Sequence, residues 1–510
     1  LFLKLKNMFH LEGKIVVSKV GKLNVRHEAV KGIRLPGDRN VKVLQIGEGK
    51  FLRGFFDWMI HKCYERGVFD GGIVVTQPRP SGKIKLEELR RQDGLYTLVT
   101  RGLLNGQLVD SEEIISVFSE VVDPYSEWSK FLSLAEHPSL EFVVSNTTED
   151  GLAYQNIPFE EGIPILSFPG RLTMFLYRRF QHFQGDGRKG LIIIPCELVE
   201  RNGEVLKQHV LRHSEDWGLP STFIDWLYHH NLFLNSLVDR IVTAPSPNQA
   251  KEWFVQWGYQ DSFLLVTEPY YFWAIEGSSE LDQRLPLRKA GLNVQWVDDL
   301  TPYYVRKVRI LNGLHTLMAP MALLHGFKEV REVVEHPIFG LFIQEAMEEE
   351  IIPSLPYDTQ EIMEYAQTII ERFKNPFISH RLIDISINSI SKFKIRLLPS
   401  LRSYTEQKGY LPTRIVKALA YLIRFYKVKK SGGLFVGFKL DGTSYEPKDN
   451  QEVLQFFSEK WGDYELGKIT IKGLTREILS NHALWGENLD NFSGLTDMVC
   501  REIQRIGERQ

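Results

Sequence analysis

VKVLQIGEGKFLRGFFDWMI, residues 41–60, reads as a strand that runs through a glycine turn into a helix. Val41, Val43, Leu44 and Ile46 form a short, β-branched apolar run, Gly47 and Gly49 follow at once, and a helical pattern continues from about Phe51 to Arg66. Glycines here allow a tight turn and close backbone approach, so free N–H groups at a helix start can meet a pyrophosphate. Gly47 and Gly49 are therefore candidate cofactor-binding residues. Many βα turns contain glycines, and it is the position after the first long strand that favours phosphate binding.

The same alternation continues outward. GGIVVT (71–76), EFVVSN (141–146) and GLIIIP (190–195) are further apolar runs separated by helical patterns, the order of βαβ units and of a parallel sheet covered on both faces. Between the second and third runs, YTLVTRGLLNGQLVDSEEIISVF carries Asn105-Gly106 flanked by apolar residues, which predicts an inserted antiparallel ribbon. After about residue 296 the pattern changes to long amphipathic helices near 301–324, 359–374, 413–427 and 473–481. The expected class is α/β, with a sheet domain over 1–295 and a mostly α-helical domain over 296–510, divided where strand-like LNVQWV gives way to turn-prone DDLTP.

A chain of 510 residues exceeds one ordinary core, and its 64 acidic and 62 basic residues nearly cancel. No long-range field draws it to nucleic acid or an anionic membrane, so a small molecule is the expected partner. Cys63, Cys196 and Cys500 are far apart, which argues against a disulfide scaffold or a structural zinc and suits a reducing cytoplasm. The opening LFLKLKNMFHL is interrupted by Lys4 and Lys6 and reads as an ordinary extension rather than a signal peptide. No stretch approaches the ~18 to 20 apolar residues that span a bilayer, so a soluble protein is expected.

At the end of the second strand, Thr76-Gln77-Pro78-Arg79 lacks the acid that usually bonds the adenosine ribose. Arg79 suits a 2′-phosphate, or is a solvated turn arginine. The third strand ends in Ser145-Asn146-Thr147-Thr148-Glu149, where Asn146 is a candidate contact near the nicotinamide end, or a helix cap.

The chemical end is DDLTPYYVRKVRILNGLH, residues 298–315. Thr301 and Pro302 start a helix whose apolar stripe is Ile310, Leu311, Leu314, Leu317 and Met318, with Lys307 near its middle and Arg306 and Arg309 pointing away. Burial of Lys307 would lower its pKa and make it a general acid or base; the alternative is a stem on apolar surface with the ammonium in water. On an α-helix His315 falls roughly 80° and Asn312 roughly 140° from Lys307, a broad side rather than a seam, with Lys307 and His315 roughly 12 Å apart along the axis.

Lys-x4-Asn-x2-His, Gly-x-Gly-x-Phe-x-Arg (Gly47, Gly49, Phe51, Arg53) and FLNSLVDRI (233–241) together resemble the mannitol dehydrogenase family of long-chain polyol dehydrogenases. The resemblance implies a Rossmann-type N-terminal domain, a largely helical C-terminal domain and zinc-independent hydride transfer. It implies Lys307 as acid/base, Asn312 and His315 as ligands of the reacting oxygen, and Phe51 and Arg53 beside the glycines at the cofactor. Asp239 is a possible orienter of the lysine or of a substrate hydroxyl, or else pairs with an arginine.

QIGEGKFLRGFFDWMI, VVSNTTEDG, SFPGRLT, IPCELVERNG and NSISKFKIRLLPS are similar to a branch that interconverts D-tagaturonate and D-altronate with NAD(H). Cys196-Glu197-Leu198 stands where mannitol dehydrogenases tend to have Cys-Asp-Asn, which puts a polyol substrate in doubt. A sugar acid needs a cation for its carboxylate, and Lys392, Lys394 and Arg396 are the candidates, on one side if the run is extended. Their alternative is a solvated basic face. Rival functions are the same chemistry on D-fructuronate or a neutral polyol, and a nucleotide-binding regulator without chemistry.

Overall fold

The computed structural model describes residues 18–19, 39–160, 162–357 and 359–507; LFLKLKNMFHL lies outside them. The chain forms two compact units, one of Leu1–Arg101 with Asp110–Leu300, the other of Gly102–Val109 with Thr301–Gln510.

In the first unit the strands include β1 (Val41–Ile46), β2 (Gly72–Thr76), β3 (Tyr96–Leu104), β4 (Gln107–Ile115), β5 (Phe118–Val122), β6 (Phe142–Ser145), β7 (Ile192–Pro195), β8 (Leu232–Phe233), β9 (Ser236–Asp239), β10 (Val242–Thr243), β11 (Leu265–Thr267), β12 (Phe272–Glu276) and β13 (Val294–Val297). Six of them make a parallel sheet in the order β5-β2-β1-β6-β7-β8, the arrangement of a dinucleotide-binding fold. Every run read as a core strand is there, because continuous apolar sequence suits a sheet buried on both faces. Val43, Ile73 and Val75 face one core with Phe55, Phe56 and Trp273; Leu44, Ile46 and Val74 face the other with Leu172, Phe175 and Val210.

The ribbon forms as expected: β3 and β4 join at Asn105 (φ 53°) and Gly106 (φ 72°), both left-handed as a two-residue hairpin turn requires. Two smaller sheets, β10-β11-β3-β4 and β9-β12-β13, were not expected as such, although LNVQWV supplies β13. The helix expected from Phe51 to Arg66 is two, α1 (Lys50–Gly54) and α2 (Phe56–Glu65), broken at Phe55 (φ −128°). Further helices cover the sheet, among them α3 (Lys83–Arg91), α4 (Phe168–His182) and α5 (Asn202–Asp216).

The second unit is mostly helical. Its elements include α6 (Thr301–Arg306), a π-helical turn (Lys307–Asn312), α7 (Gly313–Leu324), α8 (Thr359–Phe373), α9 (Ser389–Arg396), α10 (Thr413–Phe425), α11 (Ile471–Leu479) and α12 (Leu495–Gly507). Every residue of α7 is buried; it packs on α10, which packs on α12. The ribbon tip groups here too: the Asn105 N–H (3.1 Å) and the Gly106 N–H both donate to the Glu371 carboxylate on α8. A small sheet of Val428–Ser431, Leu434–Phe438 and Ser444–Tyr445 had no clear sequence signal. No described helix is long and apolar enough to cross a membrane.

Candidate active site

In the first unit, the carboxyl ends of β1, β2 and β6 open on a cleft of about 290 Å3 lined by residues 47–51, Pro78, Arg79, Ser81, Gly82, Lys85 and residues 146–148. It lies where the strand order reverses, between β1 and β6, the place where ligands bind in such sheets. Gly47 is needed twice over: its φ is +132°, and a Cβ would stand 2.7 Å from Asn146 O. At Gly49 a Cβ would meet nothing within 4 Å, so the backbone there is open to close approach. Lys50, Arg79 and Lys85 add positive charge to the rim. An unobstructed glycine backbone ringed by cations fits the phosphates of a dinucleotide.

Asn146 lines this cleft, and its Nδ2 donates to Cys196 O at 2.6 Å. The helix cap is Thr148 instead, whose Oγ1 accepts from Gly151 N at 3.0 Å. Phe51 also lines the cleft and stacks on Phe55 at 4.9 Å. Arg53 is 5% exposed, and its Nε and Nη1 donate to Glu48 O (3.0 Å) and Phe263 O (2.6 Å). The arginine thus braces the glycine turn from behind.

Sequence reasoning missed Glu197 as a contributor. It is buried, and its carboxylate accepts from Thr147 N (2.9 Å), Thr147 Oγ1 (3.1 Å) and Ser145 Oγ (3.1 Å), which fixes the loop after β6; burial raises its pKa. Asp239 ends β9, 6% exposed and paired across the strands with Phe272.

In the second unit, the helix expected over 301–324 is divided by the π-helical turn. Residues five apart are separated by about 140° on an α-helix, whereas i→i+5 bonding brings them closer to one face. Lys307 and Asn312 bound this turn, and His315 follows three residues later on α7, so the broad side expected from a regular helix narrows toward a seam. The sequence reading is corrected at three residues here. Lys307 is half-buried rather than sunk in the apolar stripe. Arg306 and Arg309 do not point freely away: Arg306 pairs with Glu361 at 3.0 Å, and Arg309 Nε donates to Ser400 Oγ at 2.9 Å. Both lie on a segment enclosed by other helices, where a cation requires a partner.

His315 is 8% exposed, its ring 4.6 Å from Phe373 and 4.5 Å from His380. Burial, then the charges of His380, Arg396, Arg372 and Lys392, hold its pKa well below the usual histidine range, and the imidazole is neutral. Its Nε2 is buried and has no hydrogen-bond partner among the described residues. His380 is pushed down to about 4 by burial and by Arg372.

The run holding Lys392, Lys394 and Arg396 is helical rather than extended, which regroups the three. Lys392 and Arg396, four apart, share one face. Arg396 Nη1 donates to Thr316 Oγ1 (3.1 Å) and Asn312 O (3.4 Å), and Lys392 Nζ donates to Ile385 O (2.9 Å). Lys394 is exposed on another face, in a cleft with Arg402, Gly486 and Glu487, so it does not join them. Arg372 joins instead: it is 6% exposed on α8, and no spacing signal marked it.

Residues 41–289 match the mannitol dehydrogenase Rossmann domain, and residues 299–506 match the mannitol dehydrogenase C-terminal domain. The chain belongs to the mannitol dehydrogenase family. It is similar to altronate oxidoreductase of Bacillus subtilis (strain 168), 43% identical over 92% of this chain and 93% of that protein. It is also similar to altronate oxidoreductase of Halalkalibacterium halodurans, 40% identical over 92% and 91%. Among solved structures it resembles a Pseudomonas fluorescens mannitol 2-dehydrogenase ternary complex with NAD and D-mannitol, at 21% identity and TM-score 0.68 over 96% of this chain and 97% of that one. A D-sorbitol dehydrogenase in substrate-free form follows at 20% identity and TM-score 0.77, covering 96% and 98%. These structural likenesses bear on fold. As a member of the mannitol dehydrogenase family with such relatives, the chain is an oxidoreductase.

Proposed function

We propose that the chain is an NAD(H)-dependent oxidoreductase that interconverts D-tagaturonate and D-altronate. The observation that carries this reading is the set of cations around His315: Arg372, Lys392 and Arg396 all act on it through their charge. A sugar carboxylate forms charge-assisted hydrogen bonds with such cations, which a neutral polyol cannot. Similarity to the altronate oxidoreductases supports the same choice.

Gly47, Gly49, Phe51 and Asn146 hold the dinucleotide, and Arg53 acts through the turn it braces. When bound, NADH supplies the hydride. Lys307 gives its proton to the keto oxygen in reduction and takes one back in oxidation, so the two directions need opposite protonation states. Asn312 and neutral His315 hold that oxygen, each able to donate a hydrogen bond. Lys392 and Arg396, with Arg372, hold the carboxylate, and Asp239 orients a substrate hydroxyl. Three buried free thiols suit work in a reducing compartment such as the cytoplasm.

The test follows NADH oxidation with D-tagaturonate, D-fructuronate and D-fructose side by side, repeated with Lys307→Ala. Turnover of tagaturonate, lost in the variant, is expected. Preference for fructose overturns the sugar-acid reading, preference for fructuronate changes the substrate to the keto acid epimeric at a hydroxyl carbon, and turnover by the variant overturns the role of Lys307.

A further inference from the structure

Strand β2 is followed by Gln77 rather than an acid; Gln77 is buried, and its Nε2 donates to Asp123 Oδ1 at 2.9 Å. Across from it, in the glycine turn itself, stands Glu48. This residue is 7% exposed and lines the cleft, yet its carboxylate accepts no hydrogen bond among the described residues. It is aimed at the end of β2: a Cβ placed on Gly82 would stand 3.2 Å from Glu48 Oε1 and 2.9 Å from Gln77 Oε1. Arg53 Nε, bonded to Glu48 O at 3.0 Å, fixes the backbone that carries it. A carboxylate that lines the cleft without a protein donor is free to accept from a pair of ligand hydroxyls.

We propose that Glu48 binds the 2′- and 3′-hydroxyls of the adenosine ribose, doing from the glycine turn what an acid at the end of the second strand does in other dinucleotide-binding sheets, and so selects NAD(H) over NADP(H). This rests on the cofactor reading given above. A 2′-phosphate would set its charge against that carboxylate. Arg79, just after β2, has its Nη2 engaged with Thr148 Oγ1 at 2.7 Å.

The test titrates the free protein with NADH and with NADPH, without sugar, following nicotinamide fluorescence. Wild type is expected to bind NADH at least about 10-fold more tightly than NADPH, the scale of one charge-assisted bond. Glu48→Gln keeps the size, weakens NADH by about 10-fold and narrows the preference, while Glu48→Asp keeps the charge and preserves the preference for NADH. Equal affinities in wild type, or a preference unchanged in Glu48→Gln, overturn the proposal. The titration holds no sugar, so a wild type that prefers NADH but ignores tagaturonate defeats the substrate reading alone. Binding of neither dinucleotide defeats both.

Discussion

Lys307 opens and Asn312 closes one π-helical turn, so two residues that a regular helix would set about 140° apart are brought closer to one face. Deleting Val308 removes the extra residue and restores the regular helix. Turnover is then expected to fall on the order of 10²-fold or more, the scale of a lost proton transfer, with NADH affinity unchanged. Activity near wild type in the deletion would show that the turn has no part in the chemistry.

Replacing Lys307 by Ala is expected to cost about 10²- to 10⁴-fold in kcat in both directions. In the wild type, reduction should fall and oxidation should rise with pH, because the acid is used in one direction and the base in the other. His315 stays neutral, so no histidine inflection is expected near pH 6.5 in either profile. Parallel profiles for reduction and oxidation, with the chemical step limiting, would remove lysine as proton carrier.

The carboxylate contacts predict a split in the kinetics. Arg396→Ala should raise KM for the hexuronate by about 10- to 100-fold, the worth of a hydrogen bond to a charged group, and leave any slow turnover of fructose little changed. Lys394→Ala should leave both alone, since its side chain lies in another cleft. An equal loss on acid and neutral sugar in Arg396→Ala would count against a carboxylate contact.

Gly47→Ala should weaken NADH binding and destabilise the first unit by roughly 1–3 kcal/mol, because φ +132° is strained for any side chain and Asn146 O occupies the space. The corresponding change at Gly49, where the space is open, should leave thermal stability nearly intact. Similar melting temperatures for the two variants would refute the distinction.

His213 is fully buried between Tyr154 and Trp217, at 4.7 and 4.9 Å, with both ring nitrogens lacking partners among the described residues. Burial pushes its pKa down to about 4. As pH falls below about 6.5 the unfolded chain takes up a proton that the folded one refuses, so the stability this histidine allows above pH 6.5 is lost progressively toward pH 4. His213→Phe, which suits the aromatic surroundings, should flatten that part of the pH dependence. Denaturant melts of both proteins at pH 4.5 and 7 decide it: an equal loss in each would mean that other groups cause it.

The core strands were legible because each is a short apolar run ended by turn residues, and Asn105-Gly106 announced its hairpin through the left-handed backbone it favours. The edge strands β5 and β8 were not, the first being partly polar and the second a mere Leu232–Phe233. Lys307, Asn312 and His315 could be picked out as residue types, but their alignment could not, since no spacing rule marks a π turn and a regular helix was the only template applied. Lys394 was grouped with Lys392 and Arg396, which the helix separates from it, because alternate residues share a side in a strand but not in a helix. Arg372 was invisible: an arginine in the last turn of an amphipathic helix is what a solvated surface would also carry.

The ribbon tip belongs with the helical unit, while the strands leading into it begin and end in the other. The polypeptide therefore passes from one body to the other at three points rather than one, and a cut at Leu300 does not yield two complete pieces. A separately expressed C-terminal half would lack the amides that satisfy Glu371, and the N-terminal half would carry a hairpin end deprived of its acceptor. Dissection of this enzyme into halves should be planned with residues 102–109 as shared property, supplied to the helical half as a tethered hairpin.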